Sequence, residues 1–281
     1  MGFDFQQVDV FTTKPFKGNP VAVIHNGDGL STEIMQAIAN WTNLSETTFV
    51  CKADHPLADY KLRIFTPHSE LPFAGHPTIG SVAAVMERGL KPKQEGRIIQ
   101  ECQRGLVTII QEDDRFFFEL PEPKVEHIDE EIVQHIAEAI GVSNEYIEDR
   151  LIIDVGPVWL TLKINRDVNI KRLRPVMNQL MKAIPLGITG VTIFGDSSNA
   201  DSLFEVRSFA PGEGVPEDPV CGSGNGAVAT MVRKMALPVT EFSTSQGSCV
   251  GRDGKVDIRY RDGHILIGGR TVTCIEGKLT V

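Results

Sequence analysis

The stretches AGHPTIGSVAAVME, residues 74–87, and CGSGNGAVATMVRKM, residues 221–235, share one build. Each opens on a small residue and a glycine. Each then enters a helix, over 77–87 and over 225–235, that is apolar or small on nearly every side. A helix of that kind needs burial all round. The approaches also match: Arg63-Ile-Phe-Thr-Pro67 precedes the first and Arg207-Ser-Phe-Ala-Pro211 the second. Ala74-Gly75 and Cys221-Gly222 stand 147 residues apart, about half the chain. The spacing predicts an internal duplication.

Working outward, most of the remaining chain reads as short strands. Runs 3–12, 21–25, 46–51 and 60–66 are rich in β-branched and aromatic residues. Residues 97–120 read as consecutive hairpin strands, with turns at Arg104-Gly105 and Asp113-Asp114. Asp253-Gly254 and Asp262-Gly263 give the same signal near the C-terminus. Three further helices are expected. Residues 32–42 place Ile34, Ile38 and Trp41 on one face behind a Ser31 cap. Residues 130–140 run from Asp129 as cap to Gly141, with Glu130 and Glu131 suited to the helix dipole. Residues 175–184 carry Val176, Leu180 and Ile184. In a chain of strands, the natural wrapper for an all-round apolar helix is a curved sheet. The expected fold is therefore α+β, two pseudo-symmetric lobes, each a curved, mostly antiparallel sheet or open barrel around a central helix. The boundary is expected near Pro121 to Lys124, giving lobes 1–122 and 123–271.

The 281 residues carry 41% hydrophobic content and a net charge of −9. No Lys/Arg run stands out, which argues against nucleic-acid binding. No apolar run approaches the roughly 20 residues a membrane helix needs, and no signal-peptide pattern opens the chain. A cytoplasmic protein is expected. Five scattered cysteines argue against a disulfide framework, and the seven histidines form no HxxxH or HExxH pair. No metal or organic cofactor is expected.

Chemistry concentrates at the two helix starts. A glycine turn feeding a helix leaves outward N–H groups at the positive end of the dipole, an anion site. Gly75-His76 and Gly222-Ser223 each offer one. Glu46 lies where a polar turn becomes an apolar strand. It is either an exposed strand-edge charge, which the local residues favour, or a desolvated acid/base. Desolvation lifts a carboxyl from about 4.3 towards roughly 6–7. Asp218, before the second glycine turn, is a candidate to orient a substrate hydroxyl or amine or to share proton transfer, or else a turn-forming residue. His76 is a hydrogen-bond donor or a packing histidine. Cys221, beside a helix N-terminus, has a reason for a lowered pKa, or is simply a small buried residue.

Four motifs in order, VDVFTTKPFKGNPVAV (8–23), LSETTF (44–49), FAGHPT (73–78) and EDPVCGS (217–223), resemble the PhzF family of phenazine-biosynthesis-like isomerases. The likeness runs nearly the whole chain. It implies the diaminopimelate-epimerase-like fold, with the active site between the lobes and a last strand, about 272–281, returning to the first lobe. It implies a homodimer, no cofactor, and a reaction like the isomerisation of a cyclohexadiene carboxylic acid. It places the acid/base role on Glu46, flanked by Ser45, with Gly75, His76, Asp218, Gly222 and Ser223 around the substrate. Related epimerases use a cysteine before each central helix. Here Ala74 holds the first position, so a two-thiol mechanism is excluded. Cys221 either stays outside the chemistry or works opposite Glu46. The expected function is a cofactor-independent isomerase or epimerase of a small carboxylic acid. The alternatives are a non-catalytic acid-binding protein and a lyase or dehydratase using the same proton abstraction.

Overall fold

The computed structural model describes residues 2–281. The chain divides into two compact units. Unit 1 takes the residues up to Glu119 together with Gly268–Val281, and unit 2 takes Leu120–Ile267. The described residues form five α-helices: α1 (Thr32–Thr42), α2 (Gly75–Glu87), α3 (Glu130–Ile140), α4 (Met177–Ala183) and α5 (Gly222–Lys234).

Unit 1 contains β1 (Gly2–Val10), β2 (Asn19–Ile24), β3 (Thr47–Cys51), β4 (Tyr60–Phe65), β5 (Glu70–Leu71), β6 (Arg97–Cys102), β7 (Gly105–Glu112) and β8 (Arg115–Glu119). Unit 2 contains β9 (Lys124–Glu126), β10 (Ile147–Asp154), β11 (Val158–Ile164), β12 (Gly190–Asp196), β13 (Phe204–Ala210), β14 (Val215–Asp218), β15 (Glu241–Gln246), β16 (Gly254–Arg261) and β17 (His264–Gly269), in which the boundary falls. The last strand, β18 (Thr271–Thr280), pairs antiparallel with β1 and so belongs to unit 1.

The same pairing pattern appears twice. In unit 1, β1–β2 is antiparallel, β2–β3 parallel, β3–β4 and β4–β5 antiparallel, β4–β6 parallel and β6–β7 antiparallel. In unit 2, β10–β11, β11–β12, β12–β13, β13–β14, β13–β15 and β15–β16 repeat those senses in the same order. Even an ion pair is repeated. Arg63 grips Glu70 with two hydrogen bonds of 2.7 Å, and Arg207 grips Glu217 with bonds of 3.0 and 2.8 Å. Each pair ties a long strand to the short one after it, on the approach to a central helix.

Those helices are buried as the composition requires. Every α2 residue from His76 to Val85 is buried, against β1, β2, β3, β8 and β18. α5 is buried from Gly224 to Val232, against β10, β11, β12 and β16. The packing is close enough to demand glycine. A Cβ at Gly80 would overlap Val21 and stand 2.9 Å from Val10 Cγ2, and one at Gly224 would overlap Ser208.

Amphipathic helices cover the other face of each sheet. α1 buries Met35, Ile38 and Ala39 against Phe3, Ala22, Ile24, Phe49 and Phe65. Ile34 and Trp41, expected on the buried face, are 38% and 78% exposed. Two apolar stripes overlap on this helix and share Ile38; the stripe through Met35 wins. Ser31 caps it, accepting from the Ile34 amide at 3.4 Å. In unit 2, α3 and α4 lay Val133, Ile136, Ile140 and Leu180 over Leu160, Leu162, Val191, Ile193 and Phe209. Asp129 sits at the N-cap of α3 without a side-chain bond, and Gly141 closes that helix with φ 81. Asp262-Gly263 is the turn between β16 and β17, both residues left-handed. Asp253-Gly254 is not a hairpin turn, because Gly254 already opens β16. The reversal is made before it by a 3-10 turn, Ser248–Val250, between left-handed Gly247 and Gly251.

Candidate active site

In unit 1, α1 ends at Asn43 in a left-handed conformation, and the chain passes through Leu44 and Ser45 into β3. Glu46 is fixed at that entry, its carbonyl accepting from the Ala22 amide of β2. Its side chain is 15% exposed, and Oε2 lies 3.4 Å from Nε2 of His76, the second residue of α2. The sequence thus brings Ser45, Glu46, Gly75 and His76 to one place. Ala74 has no side chain able to cap α2, and Pro77 has no amide hydrogen. The Gly75 and His76 amides are the donors left at the helix start.

His76 is neutral. Burial pushes its pKa from 6.5 down to about 3, against a hydrogen bond to the Pro20 carbonyl that raises it. Nε2 makes no hydrogen bond, so the proton facing Pro20 is on Nδ1. Nε2 therefore presents a lone pair to Glu46. The expected donor histidine is an acceptor at the atom that matters, because Pro20 takes its only proton. A proton carried by Glu46 has Nε2 as its acceptor. With Glu46 bare, the pair offers two acceptors to a ligand that brings a proton.

Unit 2 brings together Asp218, Cys221, Gly222 and Ser223. Asp218 closes β14 and accepts from the Val220 amide at 3.0 Å. Burial raises its carboxyl to about 6, opposed by the bonds from the Cys221 thiol and Val220 and helped by neighbouring Glu217. Cys221 is the N-cap of α5, its sulfur accepting from the Gly224 amide at 3.2 Å. Of the two readings of Cys221, the small buried residue is the one observed, not the thiol lowered by the helix start. Burial, and next the charge of Asp218, push Cys221 well above its ordinary value. It is a thiol at neutral pH, not a thiolate base. The Gly222 and Ser223 amides remain as donors, with the Ser223 hydroxyl beside them. That hydroxyl accepts from Trp159 Nε1 at 3.0 Å.

A family model described as "Phenazine biosynthesis-like protein" matches residues 8–277. This chain belongs to that family. Among curated relatives, "Antisense-enhancing sequence 1" of Schizosaccharomyces pombe is 42% identical, with 98% of this chain and 97% of the relative covered. The "Trans-2,3-dihydro-3-hydroxyanthranilate isomerase" of Pseudomonas aeruginosa is 29% identical, with 96% and 97% covered. The crystal structure of a PhzF-family phenazine biosynthesis protein from Bacillus anthracis superposes with a TM-score of 0.85 over the full length of both chains, at 24% identity. The diaminopimelate-epimerase-like fold expected of the family is the fold observed. No helix of the described residues is long and apolar enough to cross a membrane.

Within this PhzF-family framework, two contributors escaped sequence reading. Pro20 acts through a carbonyl, which no side-chain motif reports, although it lies in the Lys17-Gly-Asn-Pro20 segment. Trp159 sits in an ordinary strand run and gains meaning only from the paired position of Ser223.

Proposed function

We propose that this PhzF-family protein is an isomerase that moves a proton on carbon in a small carboxylic acid, with Glu46 as the acid/base. The observation that carries the reading is the Glu46–His76 pair. A carboxylate at the entrance of a strand faces a neutral imidazole whose lone pair, not its proton, points at it. That pair has room for one mobile proton. Glu46 takes it from carbon, Nε2 accepts a hydrogen bond from the protonated carboxyl, and Glu46 returns the proton to a different carbon. Positioned acid/base catalysis of this kind is worth about 10²–10⁴-fold. The amides of Gly75 and His76 and those of Gly222 and Ser223 are the donors for the acid group and for charge that develops beside it. Asp218, raised to about 6, serves as an acceptor for a substrate hydroxyl or amine. Cys221 stays a thiol and supports Asp218 and the helix start rather than exchanging protons with carbon. The same reading takes the protein to be cytosolic and a homodimer, the latter open to sedimentation analysis. The relative named for trans-2,3-dihydro-3-hydroxyanthranilate supplies the first compound to try.

The test is hydrogen exchange in heavy water. That compound and a panel of small carboxylic acids should include one whose carbon-bound hydrogen exchanges with solvent in the presence of the protein. Glu46→Gln should fold with the same circular dichroism and lose that exchange by about a hundredfold or more. Exchange at full rate in Glu46→Gln would remove Glu46 from the chemistry. Elimination of a leaving group among the products would move the assignment to a lyase.

A further inference from the structure

Strand register makes the two units comparable position by position. In unit 1, Thr47 pairs with Phe65 and Phe49 with Arg63. In unit 2, Val191 pairs with Phe209 and Ile193 with Arg207. Arg63 and Arg207 are equivalent, so Thr47 answers to Val191 and Glu46 to Gly190. Ala22 lies beside Thr47 and Leu160 beside Val191, so Val21 answers to Trp159. Gly75 and Gly222 open the central helices, so His76 answers to Ser223.

The carboxylate thus has no counterpart in unit 2. Gly190 takes its place; a Cβ there would overlap the backbone carbonyl oxygen of Phe209 and stand 2.8 Å from Cζ3 of the Trp159 ring. The buried indole lies beside that position and reaches Ser223 with its N–H. An indole N–H only donates, so the Ser223 oxygen is the acceptor and its own proton must point elsewhere. Its other neighbour is Cys221 Sγ at 3.5 Å, a weak acceptor already taking the Gly224 amide. The serine proton is therefore held in a poor bond beside two donor amides. Unit 1 has the opposite polarity: His76 gives its proton to Pro20 and shows a lone pair.

We propose that Trp159 is a positioning residue that makes Ser223 a committed donor to the carboxylate of the bound acid. The inference rests on the small-acid reading above. Trp159 does not touch the reacting atoms; it acts by occupying one lone pair of the Ser223 oxygen, which turns the hydroxyl proton away from the indole and leaves it to be donated.

A double-mutant cycle tests it. Wild type, Trp159→Phe, Ser223→Ala and the double variant are titrated calorimetrically with 3-hydroxyanthranilate, anthranilate and maleate. With Ser223 present, Trp159→Phe should weaken the acid that binds by about fivefold to twentyfold. With Ser223→Ala, the same change should cost less than about twofold. Equal losses in both backgrounds would make Trp159 a packing residue only, and no loss with Ser223 present would equally overturn the proposal. If wild type binds none of the acids, the small-acid reading fails and takes this one with it; if wild type binds and Trp159→Phe is silent, only Trp159 falls. Should Trp159→Phe not fold, the Trp41→Phe protein leaves Trp159 as the single indole. Its N–H resonance should shift on adding the acid, and should not shift when Ser223→Ala is also present. An unmoved resonance in the Ser223 protein refutes the coupling.

Discussion

Two buried histidines set how the molecule responds to acid. His25 is pushed from 6.5 down to about 4 by burial and then by the charge of Arg88, and His76 to about 3 by burial. Below pH 6.5 the unfolded chain takes up protons that the folded chain refuses. Stability from each is complete above 6.5 and falls as pH drops through the window towards 3–4, by about 1.4 kcal/mol per pH unit. Asp218 has the opposite sign: raised to about 6, it favours the folded state most at low pH and loses that contribution as pH rises through 6. His25→Gln keeps a donor for the Gln6 Oε1 that Nε2 meets at 2.8 Å. It should reduce the loss of stability between pH 7 and pH 5 by about 1–2 kcal/mol, read from urea midpoints at both values. An unchanged pH slope would show that His25 titrates normally. At this scale sequence reading reached types and places more than protonation states. Glu46, His76, Asp218 and Ser223 all stand out at motif boundaries. The direction of the Cys221 shift does not, since the dipole that lowers a thiol is visible in the motif while the burial that raises it is not.

At the scale of elements, α2 is the part read best. Its composition demands a wrapper, and its glycine is set by distance rather than by backbone angle. Gly80→Ala should therefore destabilise unit 1 by about 1–3 kcal/mol through overlap with Val21 and Val10, although alanine is the better helix former. A thermal melt checks it; a raised midpoint would mean that β1 and β2 give way freely. Surface helices are harder to read. In α1 the stripes through Ile34 and Met35 are equally apolar, and the sheet beneath chooses between them. The Asp253-Gly254 signal fails for a related reason: a dipeptide reports that a turn is near, while the 3-10 turn at Ser248–Val250 spends the reversal first.

Across the whole molecule, the duplicated Arg–Glu clamp shows how one device differs with burial. The Arg207 and Glu217 side chains are 4% and 9% exposed, and Arg207 also donates to the carbonyls of Ile170 and Leu173. Those of Arg63 and Glu70 are 23% and 15% exposed. Removing one partner of a buried pair leaves an uncompensated charge, costing about 3–5 kcal/mol. Arg207→Met should approach that loss, and Arg63→Met should cost clearly less. Equal chemical-denaturation midpoints for the two variants would contradict the ranking. The repeat itself was legible from two approaches and two helix starts, because equal burial selects equal composition. The order of strand pairing was not, since parallel neighbours such as β4 and β6 leave no local pattern.

The register of β1 with β18 joins Gly2 to Thr280 and Val10 to Thr271. A ribosome makes β1 before, and β18 after, all of unit 2. β1 must wait, one edge unsatisfied, until β18 has been made. The half that emerges first is thus the half completed last, and it is the half that carries Glu46.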